Sequence, residues 1–124
     1  MLKLFDYFRS SAAFRVRIAL GIKDLEFETT PIHLLNNGGE QFSPEYMQNN
    51  PQSLVPSLQH DNKILTQSLA IIEYLDEIHP QPALLPRDPY QKALVRSFAL
   101  SIAADIHPLN NLRVLKYLTN ELKI

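Results

Sequence analysis

The chain of 124 residues contains no cysteine and no tryptophan, and it has only three glycines. The absence of cysteine excludes disulfides, thiolate metal sites and a redox-active thiol of the protein's own. Any sulfur chemistry must therefore be supplied by a bound molecule. The sequence also lacks a signal-peptide pattern and an apolar run of bilayer length, which predicts a cytoplasmic protein without membrane contact.

Neither basic nor acidic residues are in excess, because the chain has 12 basic and 13 acidic residues and a net charge of −1. Such a balance produces no overall field that would attract nucleic acid or anionic lipid. The four histidines have neither the spacing nor the acidic neighbours of a metal site, so no metal is expected. The hydrophobic fraction of 45% is typical of a globular protein.

Residues 1–79 have the pattern of an α/β domain with the element order β-α-β-α-β-β-α. The predicted elements are a strand at 2–4, a helix at 12–23, a strand at 26–32, a short helix after Ser43-Pro44, strands at 54–58 and 63–65 joined by a hairpin at 60–62, and a helix after Ser68. This order predicts a mixed sheet covered by helices, with ligands at the carboxyl ends of strands.

Helical periodicity predicts which side chains of the two longer helices face the core. In the first helix these are Val16, Ala19, Leu20 and Ile22. In the last helix of the domain, Leu69, Ile72, Leu75 and Ile78 are expected inward, with Glu73, Asp76 and Glu77 outward.

Residues 80–87 form a proline-rich linker, and residues 88–124 are helical throughout. Asp88-Pro89 predicts a helix start, and Pro108 predicts a kink or a restart. Apolar stripes are expected at Val95, Ala99, Ile102 and Ile106, and at Leu112, Leu115, Leu118 and Leu122. The second stripe continues to Ile124 without a cap, which predicts that the chain stops inside a larger all-helical domain.

The turn at Arg9-Ser10-Ser11, between the first strand and the first helix, is a candidate anion site. Free N–H groups and the positive dipole end of a helix attract negative charge there. Two hydroxyls beside Arg9 and Arg15 provide more hydrogen-bond donors than a helix cap needs. The alternative interpretation is that one serine acts only as an N-cap. A thiolate delivered to this turn would be stabilised.

A second helix start, at Gln67-Ser68, could receive a carboxylate through a hydroxyl and backbone N–H groups, with a cap again as the alternative. Before the third strand, Val55-Pro56 could present an unpaired N–H and C=O to a peptide-like ligand. The sequence alone does not determine whether the peptide bond before Pro56 is cis or trans.

Three sequence blocks resemble the zeta-class glutathione S-transferases, also known as maleylacetoacetate isomerases. The blocks are YFRSS with FRVRIAL from Tyr7, QSLAIIEYL from Gln67, and IHPLNNL from Ile106. The resemblance covers the whole chain and implies a thioredoxin-like glutathione-binding domain followed by the start of an all-α domain. It also implies a homodimer and glutathione as the cofactor.

The activity implied by the resemblance is the glutathione-dependent isomerisation of maleylacetoacetate to fumarylacetoacetate, with transferase activity. It assigns catalysis to Ser10 and Ser11. We add Arg15 to the catalytic residues because a nearby donor such as Arg9 or Arg15 could stabilise developing negative charge, with a surface or dimer-interface charge as the alternative interpretation of either arginine. The implied glutathione contacts are Ser10, Ser11, Gln41, Val55, Pro56, Gln67, Ser68, His107, Asn111, Leu112 and Arg113.

The chain departs from the family motif at Ala12, where a cysteine would follow the two serines, so the part played by that cysteine is missing. The alternative function is a non-catalytic module of the same fold that binds glutathione or a partner without turnover. A disulfide reductase is excluded because the chain has no thiol.

Overall fold

The computed structural model describes residues 1–124 as two compact units, Met1–Leu84 and Leu85–Ile124. The first unit contains β1 (Leu2–Asp6), α1 (Ser11–Ile22), β2 (Glu28–Pro31), α2 (Pro44–Asn49), β3 (Ser57–His60), β4 (Lys63–Thr66) and α3 (Ser68–Ile78). The predicted order β-α-β-α-β-β-α is confirmed. No helix combines the length and the apolar character needed to cross a membrane.

The four strands form one mixed sheet in the order β2-β1-β3-β4. β1 and β2 are parallel, and α1 provides the crossover that parallel neighbours require. β3 is antiparallel both to β1 and to β4. It follows that β1 and β4 end at the same edge of the sheet, where α1 and α3 then begin.

Each face of the sheet carries its own apolar core. Beneath α1 and α3, the central residues are Leu4, Val16, Leu20, Leu58, Ile71 and Leu75, none of them accessible to solvent. On the opposite face, Tyr46 of α2 packs with Phe5 and Ile32. Each fully buried side chain of this size contributes about 1.5–3 kcal/mol to folding, so the core with more buried residues contributes more than the smaller one.

The inward faces of α1 and α3 differ in part from the prediction. Ile22 and Ile78, expected inside, are 52% and 37% exposed, whereas Ile71 occupies the core. Leu69 and Ile72 are only partly buried. The reason is that α3 packs against α1 as well as β3 and β4, so the covered face is centred one residue away from the predicted stripe.

The prediction that Asp76 points outward was also wrong. Its carboxylate accepts a hydrogen bond from Nζ of Lys23, whose side chain is fully buried, at 2.8 Å. Lys23 also donates to the carbonyl oxygens of His79 and Pro82 at 2.5 and 2.8 Å. One buried ammonium therefore ties the end of α1 to α3 and to the proline-rich segment.

A second ion pair inside the first unit involves the end of β1. Asp6 is 4% exposed, and its Oδ2 lies 2.7 Å from Nη1 of Arg17. The other carboxylate oxygen of Asp6 has no hydrogen-bond partner. This contact joins α1 to the end of β1 and gives Arg17 a structural function.

The predicted strand at 54–58 begins later, at Ser57, because Pro56 has no N–H to donate to a strand ladder. The β3–β4 hairpin is confirmed, with His60 paired to Lys63 across the two-residue turn. Asp61 in that turn has a φ of +54°, which aspartate tolerates better than most residues.

The second unit contains α4 (Pro89–Leu100) and α5 (Leu112–Lys116), each followed by a π-helical turn. Asp88 caps α4, and the helix restarts beyond Pro108 with Asn111 as the cap, so both predicted features are confirmed. The predicted apolar stripes are not covered within this unit, and none of its residues is buried. A helical unit this small buries too small a fraction of its surface to enclose its own apolar side chains.

Candidate functional site

Three of the predicted site segments meet at one edge of the sheet. Phe5, Ser57 and Thr66 lie side by side in the last row of residues paired across β1, β3 and β4, because Ser57 pairs with both of the others. Just beyond this row lie the turn that leads to α1, the Val55-Pro56 bond that precedes β3, and the start of α3. The strand order thus assembles residues that are far apart in sequence.

Ser10 is the N-cap of α1, so the structural interpretation of this serine is confirmed. Its Oγ accepts a hydrogen bond from the backbone N–H of Ala13 at 3.1 Å. A hydroxyl that accepts in this way still has its own proton to donate, and no protein group receives the proton of Ser10. Ser11 follows as the first residue of α1 and is exposed.

The start of α3 differs from the other helix starts. Gln67 occupies the cap position with a φ of +73° and gives no side-chain hydrogen bond to the helix, whereas a side chain caps each of the other four α-helices. A non-glycine residue in this region costs roughly 1–3 kcal/mol, and such strain is concentrated at functional sites. The Gln67 amide instead donates to Oε1 of Gln52 at 3.0 Å.

Ser68, the first residue of α3, is not the cap, so the alternative interpretation of Gln67-Ser68 is wrong. It is 7% exposed, and its Oγ accepts a hydrogen bond from Nη1 of Arg15 at 2.9 Å. As with Ser10, no protein group receives the hydroxyl proton. Burial lowers the pKa of Arg15, but its ordinary value is so far above neutrality that the guanidinium stays charged.

Val55 lies outside the ladders on either side of β3, so strand pairing does not use its N–H or C=O. The cis bond to Pro56 is present. The neighbouring Leu54 carbonyl is held by Tyr46 Oη at 2.5 Å and by Asn50 Nδ2 at 2.8 Å. These two buried residues hold the backbone directly before Val55.

Gln41 lies in a 3-10 turn before α2 and is 5% exposed. Its amide donates weakly to the Leu34 carbonyl at 3.5 Å, and its Oε1 has no partner. The side chain packs against Gly39, where an added Cβ would lie 2.7 Å from Oε1. An unpaired buried amide oxygen is costly and suits a residue whose partner is a ligand.

The remaining predicted residues belong to the second unit. Asn111 caps α5, because its Oδ1 accepts from the N–H groups of Arg113 and Val114 at 3.0 and 3.4 Å. Its Nδ2 donates to the Pro108 carbonyl at 2.8 Å. Most of its hydrogen-bonding capacity is therefore structural. His107 ends the first π-helical turn, and Leu112 and Arg113 begin α5.

Sequence reasoning missed two features of this site. Gln52 was not singled out, although it holds the side chain of Gln67. The contact between Arg15 and Ser68 was missed as well, since the two residues are 53 positions apart. No local signal marks either contact, because the sheet order β2-β1-β3-β4, which brings both helix starts to one edge, is known only from the structure.

The sequence pattern described as "Glutathione S-transferase, N-terminal domain" matches residues 1–77. The chain belongs to the glutathione S-transferase family. It is similar to a probable maleylacetoacetate isomerase of Vibrio cholerae, with 53% identity over 121 residues. Maleylacetoacetate isomerase of Rattus norvegicus is 50% identical over 118 residues. These matches cover 98% and 95% of this chain but only 56% and 55% of the relatives, so the chain spans about half their length.

Solved glutathione S-transferase structures share the fold at similar coverage. A maleyl pyruvate isomerase, described as a bacterial zeta-class glutathione S-transferase in its holo form, superposes with a TM-score of 0.93 at 41% identity. Maleylacetoacetate isomerase from Methylobacterium extorquens AM1, with bound malonate and glutathione, gives 0.91 at 41% identity. Each match covers 98% of this chain and 57% or 56% of the other. The predicted fold class and the resemblance to the zeta class are confirmed.

Proposed function

We propose that the protein binds glutathione at this sheet edge and uses it to isomerise maleylacetoacetate to fumarylacetoacetate. One observation carries the proposal. Ser10 and Ser68, at the starts of two packed helices, each accept a hydrogen bond from the protein and each keep a proton to donate. Two such donors match a ligand with two separate anionic groups, and glutathione offers a thiolate and carboxylates.

The residues at the sheet edge fit glutathione group by group. The hydroxyl of Ser68 and the uncapped N–H groups of α3 receive the γ-glutamyl carboxylate, with Gln67 beside them. Val55 pairs its N–H and C=O with the cysteinyl backbone next to the cis Pro56. The chain itself contains no cysteine, so the required sulfur must come from the ligand.

Bound glutathione supplies a nucleophilic sulfur whose reversible addition to the cis double bond removes its π character and permits rotation. The task of Ser10 is to keep this sulfur ionised by donating its proton to it, with Ser11 and the dipole of α1 beside it. A hydrogen bond to a charged group contributes about 1.5–3 kcal/mol, which lowers a thiol pKa by roughly one to two units from about 8.5. Thiolate is then the main form near neutral pH.

The choice of substrate rests on the names of the relatives. Proteins similar to this chain are named maleylacetoacetate isomerase, and one similar structure is a maleyl pyruvate isomerase. Both names contain a maleyl group, which is a cis-alkene acid. We propose maleylacetoacetate as the substrate, together with glutathione transferase activity on reactive electrophiles.

Homodimerisation and a cytoplasmic location belong to the same proposal. Several large apolar side chains of the second unit are more than half exposed, among them Tyr90 and Phe98 at 70% and 71%. Exposed apolar surface of this kind favours association with a second copy of the chain, which would bury it. Light scattering after size exclusion tests the dimer, and a monomer at micromolar concentration would refute it.

The test of the activity follows maleylacetone isomerisation with and without glutathione in the wild type and in Ser10→Ala and Ser11→Ala variants. A thiolate titration of the glutathione complex accompanies each rate. The matched control is Ser43→Ala, because Ser43 caps α2 through the same kind of bond, to Tyr46 N at 3.2 Å. We expect Ser10→Ala to raise the thiol pKa and lower the rate at least tenfold, and Ser43→Ala to do neither.

Two results would contradict the proposal. Full turnover in both site variants would remove the serines from the mechanism. Glutathione binding without turnover of maleylacetone or maleylpyruvate would favour the non-catalytic binding module instead.

A further inference from the structure

Arg15 was assigned to catalysis from the sequence, as a donor for charge that develops on the substrate. In the structure, however, its guanidinium is directed to the second helix start. Nη1 lies 2.9 Å from Oγ of Ser68, and this is a contact between α1 and α3. Arg15 is half-buried, so the hydrogen bond is partly shielded from competing water.

The direction of this hydrogen bond has a chemical consequence. A guanidinium can only donate, so Ser68 must accept from it. The lone pair of Oγ that faces Arg15 is therefore occupied, and the O–H proton of Ser68 must point elsewhere. No protein acceptor takes that proton, although Ser68 is 7% exposed. A buried hydroxyl with an unused proton lacks an acceptor, which a bound carboxylate would supply.

We propose that Arg15 is a positioning residue: it holds the Ser68 hydroxyl as a donor for the γ-glutamyl α-carboxylate of glutathione. This inference rests on the proposed function, because it names how one half of the same ligand is recognised. It assigns Arg15 to ligand binding instead of to stabilisation of the reacting centre.

The test compares two ligands in the 124-residue chain by calorimetry. One is reduced glutathione, and the other is 4-aminobutyryl-cysteinyl-glycine, which lacks only the α-carboxylate. The variants are Arg15→Met, Ser68→Ala and the double variant. Lys63→Met serves as the control for the loss of one positive charge, because Lys63 is exposed on β4.

We expect Arg15→Met to weaken glutathione binding about tenfold or more and to leave binding of the shortened ligand unchanged, since a charge-assisted hydrogen bond is lost. The double variant should bind glutathione no more weakly than Ser68→Ala, because Arg15 acts through that hydroxyl. Arg15→Lys keeps a donor and should recover part of the affinity. If the methionine variant folds poorly, the lysine variant alone provides the same comparison of ligands.

Different failures separate this inference from the proposed function. Equal weakening of both ligands by Arg15→Met would assign Arg15 a merely structural role and overturn the inference. The inference would also be overturned if the loss of glutathione affinity in the double variant equalled the product of the losses in the two single variants. If the wild type binds both ligands equally, the carboxylate is not recognised, and the inference fails together with the assignment of Ser68 to that carboxylate, whereas glutathione binding itself stands. If the wild type binds neither ligand, the proposed function fails first.

Discussion

Replacing Lys23 with methionine tests whether the buried ammonium stabilises the first unit. The side chain of Lys23 is fully buried, and its Nζ donates to Asp76 and to the carbonyls of His79 and Pro82. Methionine retains most of the apolar stem but removes all three donors. Three acceptors then lose the ammonium, and one of them is the carboxylate of Asp76, which keeps the hydrogen bond from Leu84 N–H.

The expected loss is about 3–5 kcal/mol of unfolding free energy, which is typical when one member of a buried ion pair is removed. Domains of this size have roughly 5–15 kcal/mol in total, so about a fifth or more of the stability depends on one nitrogen atom. The variant Asp76→Asn keeps an acceptor at the same position and should cost less, because the amide oxygen still receives the ammonium proton.

Two measurements check this expectation. Urea unfolding of the full chain gives the free energy, with Lys63→Met as the control for an exposed lysine. Hydrogen exchange gives a local readout at Leu84, whose N–H donates to Asp76 Oδ1 at 2.9 Å. Protection at Leu84 should fall in Lys23→Met. A loss below about 1 kcal/mol with unchanged exchange would refute the assigned role of the ion pair.

Three further predictions concern single side chains. Burial raises the pKa of Tyr46, so the neutral phenol is favoured by folding; stability should hold below about pH 10 and fall above it. Tyr46→Phe should remove part of this alkaline decline in urea unfolding, and an unchanged decline would contradict the assignment. Gly39→Ala forces a Cβ to 2.7 Å from Gln41 Oε1 at a φ of +110°, so it should destabilise the chain by roughly 1–3 kcal/mol, measured by thermal unfolding. Ser10→Ala should cost about 0.5–2 kcal/mol of stability through the lost cap, without any ligand present; equal stability would show that the cap contributes nothing.

The features that the sequence predicts well are those specified by neighbouring residues. Ser43-Pro44 and Asp88-Pro89 each combine a capping side chain with a proline at the first helical position, and both helices begin there. The hairpin between β3 and β4 is fixed by its two-residue turn. Cap and turn geometry involve atoms within four residues, so they can be inferred before any tertiary contact is known.

The features that could not be predicted are pairings across the fold. Lys23 reaches Asp76, and Arg15 reaches Ser68, each across 53 positions. Helical periodicity treats charged side chains as solvent-facing, yet a fully paired ammonium can be buried at acceptable cost. The exposure of Ile22 is a similar case, because periodicity gives a stripe but not the neighbour that covers it.

The serines of the site show why a structural and a chemical role are compatible. From the sequence, an N-cap and a ligand contact are alternatives for Ser10, but the two roles use different parts of the hydroxyl. The cap uses a lone pair, which accepts from Ala13 N–H, whereas ligand binding uses the proton. The same holds for Ser68, where Arg15 occupies the lone pair. A hydroxyl whose acceptor side is fixed by the protein is pre-oriented as a donor, so it stabilises an anion without first losing rotational freedom. Capping at the start of α1 is therefore part of the chemistry we propose for this site.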